Sequence, residues 1–311
     1  METFTWTQPS QLVTEKFHSL FQQSQVHSAI VCGLDGSGKQ SAVKALSELL
    51  AINGYNVVTI SYPYDYSKSG QLLRKLLSTQ FDWLDFSFEE RIALYALNRA
   101  ETISLLHQSV VMLNERNQLP VYILFDRGPT SSLVTYAAVE IVDKTNIEIE
   151  KALSQESIVT ALQKMYQTDA YFISQLHLEN TSVFVPMLSS QSTMSALIDA
   201  IQNGERLNKE SYETTEVQEA AREVYMAAAR YEPKLHLFSQ YREDNSRLSK
   251  TEVAEYLFEQ INPAVATRSG EILEVKVSFM LYPELIDSNG IAAVSEIQAA
   301  GKGLTFLHRM E

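Results

Sequence analysis

A parallel α/β sheet of five strands, covered by helices on both faces, is the architecture this sequence implies. Short apolar runs rich in β-branched residues alternate with long helical patterns, which is how strands joined by helical crossovers read. The first apolar run also passes straight into a glycine-rich turn and a helix, so the opening unit is strand, loop, helix. The strands are expected at residues 29–32, 57–61, 121–125, 182–185 and 235–238. Between them the 3.6-residue periodicity predicts helices over 40–52, 87–117, 150–175 and 215–231. Ligand sites in such sheets lie at the carboxyl ends of the strands.

A last helix is expected over 249–261, where Ser249 and Glu252 have the spacing of a capping box and Asn262-Pro263 ends it. Beyond it, Leu273, Val275, Val277, Phe279 and Leu281 alternate with Glu274, Lys276, Ser278 and Met280, the pattern of a half-buried strand. A helical 291–300 and a short 304–307 complete a small β-α-β extension. Such a strand needs a partner, in the extension itself, at the sheet edge or on another subunit. The organisation expected is a main domain over 1–262 and an extension of unknown role over 263–311.

With 38 acidic against 25 basic residues in 311, the net charge is -13. That field repels nucleic acid and anionic membrane surfaces, so neither is an expected partner, and any polyanion must be held by a local cluster of positive charge. The sole cysteine, Cys32, lies in an apolar run and reads as a core residue. The first residues lack a basic segment followed by an apolar stretch, and no run of about 18 apolar residues follows. A soluble, cytoplasmic protein is the expectation. The six histidines are scattered without zinc-type spacing.

Chemistry enters at residues 31–46, VCGLDGSGKQSAVKAL. Gly33 and Gly38 stand five apart and Lys39 follows, the spacing of a phosphate-binding loop, between an apolar strand and a helix. Glycines let the backbone turn its N–H groups toward phosphates, the helix start adds positive potential, and the lysine reaches the terminal phosphates. Gly33, Gly36, Ser37, Gly38, Lys39, Gln40 and Ser41 are therefore the expected phosphate-binding residues. Gln40 stands where a magnesium-touching hydroxyl is usual, but its side-chain carbonyl is also an oxygen donor.

Four further stretches, YPYDYSKSGQLLRKLL, ALYALNRAE, FDRGPTSSLVTY and ERLNKESYETTEVQEAAREVY, follow in order. Together with the loop they resemble thymidylate kinase, a family of P-loop nucleoside monophosphate kinases, over residues 27–262; in the last stretch Arg206, Gln218, Arg222 and Tyr225 are in register. The resemblance implies a P-loop NTPase fold for the main domain. It also implies ATP and Mg2+ as phosphoryl donor and cofactor, a nucleoside monophosphate as acceptor, and dimerisation through a helix face. With ATP as donor, the phosphate-binding residues of the loop are the expected ATP-binding set.

By the same resemblance Lys39, Arg127 and a lid residue, Arg206, carry the catalytic charge, with Lys209 second to Arg206. Arg74 and Arg127 clamp the acceptor phosphate, a task suited to the guanidinium fork, although surface ion pairing is the plain alternative. Arg99 reads the base edge and Tyr95, four residues earlier on the same helical face, stacks on the base; by itself Tyr95 would read as packing. Asp35 faces the sugar 3'-hydroxyl or, equally, caps the helix start. Asp126, with Gln40, is the expected magnesium site.

The sequence departs from the family at Gly128-Pro129, and at Thr135 and Tyr136, which stand where Tyr and then Gln are usual. The family's Tyr crowds the sugar 2' position and excludes ribonucleotides, so with Thr135 in its place that exclusion requires an inward shift of Tyr136. The reaction implied is dTMP to dTDP. The alternatives are a kinase of another nucleotide, a deoxynucleoside kinase, or a non-catalytic nucleotide-binding protein.

Overall fold

The computed structural model describes residues 11–78, 86–143, 149–187, 214–242, 244, 246–261 and 270–275. Six strands form one parallel sheet: β1 (Val26–Val31), β2 (Asn56–Ser61), β3 (Val121–Asp126), β4 (Val183–Met187), β5 (Leu235–Ser239) and β6 (Ile272–Glu274). Their order is β5-β4-β1-β3-β2-β6. β1 and β3 are buried along most of their length, so their continuous apolar runs are those of central strands covered on both faces.

The described helices are α1 (Gln11–Gln22), α2 (Lys39–Ile52), α3 (Lys68–Leu77), α4 (Phe88–Ala100), α5 (Ile103–Asn117), α6 (Ser132–Tyr136), α7 (Ile149–Ala152), α8 (Gln155–Thr168), α9 (Ala170–Leu176), α10 (Thr215–Ala228) and α11 (Lys250–Ile261). α2 and α11 pack on one face of the sheet through Leu46, Leu50, Val253 and Leu257. The other face carries the larger core, from Phe17 of α1 to Tyr225 of α10. No described helix is long and apolar enough to cross a membrane.

The sheet has six strands where five are expected. The extra one is the start of the alternating segment of the extension, and it covers the edge of β2. Leu273 is fully buried there, worth about 2 kcal/mol of apolar burial. Gly270 leads the chain in so closely that a Cβ would lie 1.8 Å from the Tyr55 carbonyl oxygen. Its N–H donates to the Ala51 carbonyl at 2.7 Å, and Arg116 meets Glu271 at 2.7 Å. The rest of that expected strand and the elements expected at 291–300 and 304–307 lie outside the described residues.

Two expected helices are divided. The helix expected over 87–117 breaks at Glu101–Thr102, where the Thr102 hydroxyl donates to the Arg99 carbonyl at 2.7 Å and meets the Tyr62 hydroxyl at 2.6 Å. The one expected over 150–175 becomes α7, α8 and α9. Ser154 caps α8, and Asp169 stands at the junction of α8 and α9. The capping box at Ser249 and Glu252 forms as its spacing implies, with reciprocal bonds of 2.9 and 3.2 Å.

α1, which the periodicity reading omits, docks on α5 through aromatic rings. Phe17 stacks on His107 with centroids 4.1 Å apart, and His18 Nδ1 lies 2.8 Å from His177 Nε2. Burial pushes His107 down to about 4, and burial together with His177 lowers His18. The folded protein thus keeps these rings neutral, while the unfolded chain protonates them below about 6.5. The His107 contribution to stability is complete above that pH and is lost as pH falls from about 6.5 toward 4, and that of His18 runs in the same direction. Urea unfolding at pH 7.5 and pH 5.0 should differ by about 2 kcal/mol from His107 alone. His107→Gln should shrink that difference; an undiminished difference would place its source elsewhere.

Candidate functional site

β1 ends at Val31 and the chain turns through Gly33 to Gly38 before α2 starts at Lys39. Gly38 takes a left-handed φ of 79°, which an L side chain rarely adopts, and as the N-cap it makes no side-chain cap bond. The first-turn N–H groups of α2 are thus available to an anion at the helix start. Lys39 folds back over the loop, donating to the Leu34 carbonyl at 2.5 Å with Asp35 3.9 Å away.

Asp35 is only 6% exposed and ties three distant segments together. One carboxylate oxygen accepts from Arg127 Nη2. The other accepts from Gln218 Nε2 at 3.0 Å, while the Asp35 N–H donates to Gln218 Oε1 at 2.8 Å. Gln218 lies on α10, so one amide satisfies both faces of Asp35. Arg127 follows β3 with a φ of 71°, rare for a residue with a side chain, and its own N–H donates to the Val31 carbonyl at 2.8 Å. That strained turn carries its side chain across to the loop.

These groups open onto a cleft of about 860 Å³ at the carboxyl ends of β1, β2 and β3. Gly36, Gly38, Lys39, Gln40 and Ser41 line it. Arg74, Tyr95, Arg99, Arg127 and Thr135 line it as well, as do Asp35 and Asp126. Ser61 donates to one oxygen of Asp126 at 3.1 Å; the second, Oδ1, is buried and has no hydrogen-bond partner. An orphaned carboxylate oxygen beside a phosphate-type loop suits a hard cation held partly by phosphates, and the exposed Gln40 adds a neutral oxygen donor. No cluster of three His, Cys, Asp or Glu that could hold a metal is present among the described residues.

Arg74 makes the surface ion pair that is its plain alternative, with Asp65 at 2.5 Å, whereas other expected site residues have unforeseen surroundings. Arg99 is 1% exposed, and its Nε and Nη2 bond the two oxygens of Asp169 at 2.7 and 2.6 Å. It borders the cleft with its fork already filled by a carboxylate. Tyr136 does not line the cleft: it is 6% exposed, its ring packs edge-on to Phe88, and its hydroxyl donates to the Ala152 carbonyl at 2.9 Å. Thr135, one residue earlier, faces the cleft instead. Gly33 and Ser37 shape the loop from beneath, Gly33 against Val185 and Ser37 with no exposed surface. Arg206 and Lys209 lie outside the described residues. Cys32 is a buried free thiol, raised by that burial, and accepts from Ser131 Oγ at 3.1 Å.

Other residues of the cleft escape a reading of the sequence. Ser132 is 2% exposed with an unpartnered hydroxyl; only its place in the TSS stretch hints at a role. Gln240, Arg247, Ser249 and Lys250 approach from the β5–α11 connection, and Glu274 and Val275 from β6. No local signal marks them, because the sheet order alone brings them there.

Residues 31–144 match the family model described as thymidylate kinase. Over 73 residues the chain is 36% identical to a protein named "Probable thymidylate kinase" from Pyrococcus horikoshii. That stretch is 23% of this chain and 35% of the archaeal protein, so the match spans about a third of the relative's length.

Replacing Gln218 with Leu should remove both of its bonds to Asp35, the one accepted from the Asp35 N–H and the one donated to a carboxylate oxygen. A loss of about 2 kcal/mol is expected, together with weaker nucleotide binding. Thermal melting and ATP titration of Gln218→Leu check this, and unchanged values for both would show that Asp35 is held by other means.

Proposed function

We propose that this chain, whose residues 31–144 match the thymidylate kinase family model, is a nucleoside monophosphate kinase that transfers a phosphoryl group from ATP to a nucleoside monophosphate, forming dTDP from dTMP. The observation that carries the reading is a single cleft bordered by Lys39 with its loop, by the carboxylate of Asp126 and by two arginines, Arg74 and Arg127.

The acceptor needs no base. Its phosphate is largely dianionic near neutral pH, because the second pKa is about 6. It is already a nucleophile. What the protein must supply is alignment of two repelling phosphates and neutralisation of the charge that shifts between them. Lys39 and the α2 amides hold the donor. Arg127 sits between loop and cleft, where it can bridge donor and acceptor, and Arg74 holds the acceptor from α3. Tyr95 offers a half-buried ring beside them, and Thr135 with Ser132 offers hydroxyls to the sugar side. Arg206 is kept as the proposed lid cation.

Asp126 Oδ1 and Gln40 are the residues that would hold Mg2+. The ion, when bound, offsets charge on the donor phosphates. Lys39, Arg127 and Arg74 do the rest through fixed positive charge.

Lys39→Ala should lower kcat about 100- to 1000-fold in an intact fold, read by coupled ADP release with circular dichroism as the folding check. A variant of undiminished activity would remove the loop from the reaction. Arg127→Ala should raise the KM for dTMP about 10- to 100-fold and move the KM for ATP far less; equal changes would contradict its place at the acceptor. Offering dTMP, UMP, dUMP, CMP and thymidine in parallel tests the acceptor. Turnover of thymidine in preference to the monophosphates would refute the phosphate-clamp argument, and nucleotide binding without turnover of any acceptor would favour a non-catalytic protein.

A further inference from the structure

Four arginines line the cleft among the described residues, and three lie against carboxylates: Arg74 on Asp65, Arg99 on Asp169 and Arg127 on Asp35. Arg247 differs. Its Nη2 bonds the amide oxygen of Gln240 at 3.2 Å, and no carboxylate meets it among the described residues. Gln240 is 3% exposed and its Nε2 donates to the Ser37 carbonyl at 2.6 Å. One buried amide thus joins the phosphate loop to the arginine.

The connection from β5 to α11 holds this arrangement. The Leu248 N–H donates to the Gln240 carbonyl at 2.8 Å, the Arg242 N–H to the Ser246 carbonyl at 2.9 Å, and Tyr241 bridges Arg247 in antiparallel fashion. The fold carries the guanidinium over the loop. A Cβ built on Gly38 would lie 3.3 Å from Arg247 Nη2, so the glycine admits the arginine as well as the left-handed turn. Arg247 itself is exposed.

We infer that Arg247 is a donor-phosphate ligand, held over the loop by Gln240, that contacts the phosphate chain of the nucleoside triphosphate beside the start of α2. The inference rests on the proposed ATP-binding role of the loop. A triphosphate brings several negative charges. Lys39 is the loop's own cation, and Asp35 stands 3.9 Å from it, so positive charge from a second element is required in a protein of net charge -13. Engaging an anion costs Arg247 a neutral hydrogen bond, whereas Arg74, Arg99 and Arg127 must each give up or share an ion pair. Gln240 is the positioning residue of the pair.

The test is equilibrium binding of ATP and of adenosine, without Mg2+, to the full chain and to Arg247→Ala and Arg247→Lys. Melting temperatures should stay level, because the side chain is exposed. Arg247→Ala should weaken ATP binding about tenfold, the lysine variant less, with adenosine affinity and the KM for dTMP unmoved. ATP affinity in Arg247→Ala within about twofold of the parent would overturn the inference. Equal loss of adenosine would overturn it too, by assigning Arg247 to the base. A parent protein that binds no ATP would instead overturn the reading of the loop, and the inference with it.

Discussion

The buried carboxylate of Asp35 is the constraint on which the site depends. A carboxylate with so little exposure is tolerable only when its oxygens are paired. Its partners come from residues 127 and 218, far apart in the chain, so the pairing can form only when β3 and α10 have reached the phosphate loop. The same carboxylate approaches Lys39. Loop shape, the crossing of Arg127 and the docking of α10 are thus consequences of one desolvated charge. Gln218 does this with a neutral amide, which satisfies Asp35 without adding a second charge to neutralise.

Acidic partners also bear on selectivity. Arg127 and Arg74 each face a cleft while bound to Asp35 and Asp65. A neutral nucleoside offers nothing to replace those carboxylates, whereas a phosphate dianion competes for the forks with two charges and several oxygens. Under the proposed function, a charged acceptor would engage these arginines and a neutral one would leave them on their carboxylates.

What the sequence made legible was local. Gly33, Gly38 and Lys39 form a motif because a phosphate loop is built from neighbours, and the central strands show as apolar runs because both their faces are buried. The divided helices were hidden because Thr102 and Asp169 interrupt the backbone without breaking the apolar period. Arg99 was legible as an arginine near the cleft, but Asp169, 70 residues away, was not legible as its partner. Thr135 and Tyr136 illustrate the limit of motif reading: neighbours on a helix point about 100° apart, and here the smaller residue faces the cleft while the larger fills the core. β6 was legible as a strand, yet its choice of β2 as partner depends on Gly270 fitting under Tyr55.

Gln40 is best understood beside Asp126. An amide oxygen at position 40 brings no charge and no proton to lose, so Asp126 is the one anionic protein donor in the proposed pair. One of its oxygens is occupied by Ser61, which orients the carboxylate and leaves Oδ1 buried without a hydrogen-bond partner. Magnesium demands near-octahedral oxygen geometry, gives up its waters reluctantly, and is commonly held by one or two carboxylates with substrate phosphates. A donor set of one carboxylate and one amide is too sparse to hold the ion by itself. Under the proposed function the cation would therefore arrive with the nucleotide, and Gln40 would offer it an amide oxygen in place of the usual hydroxyl.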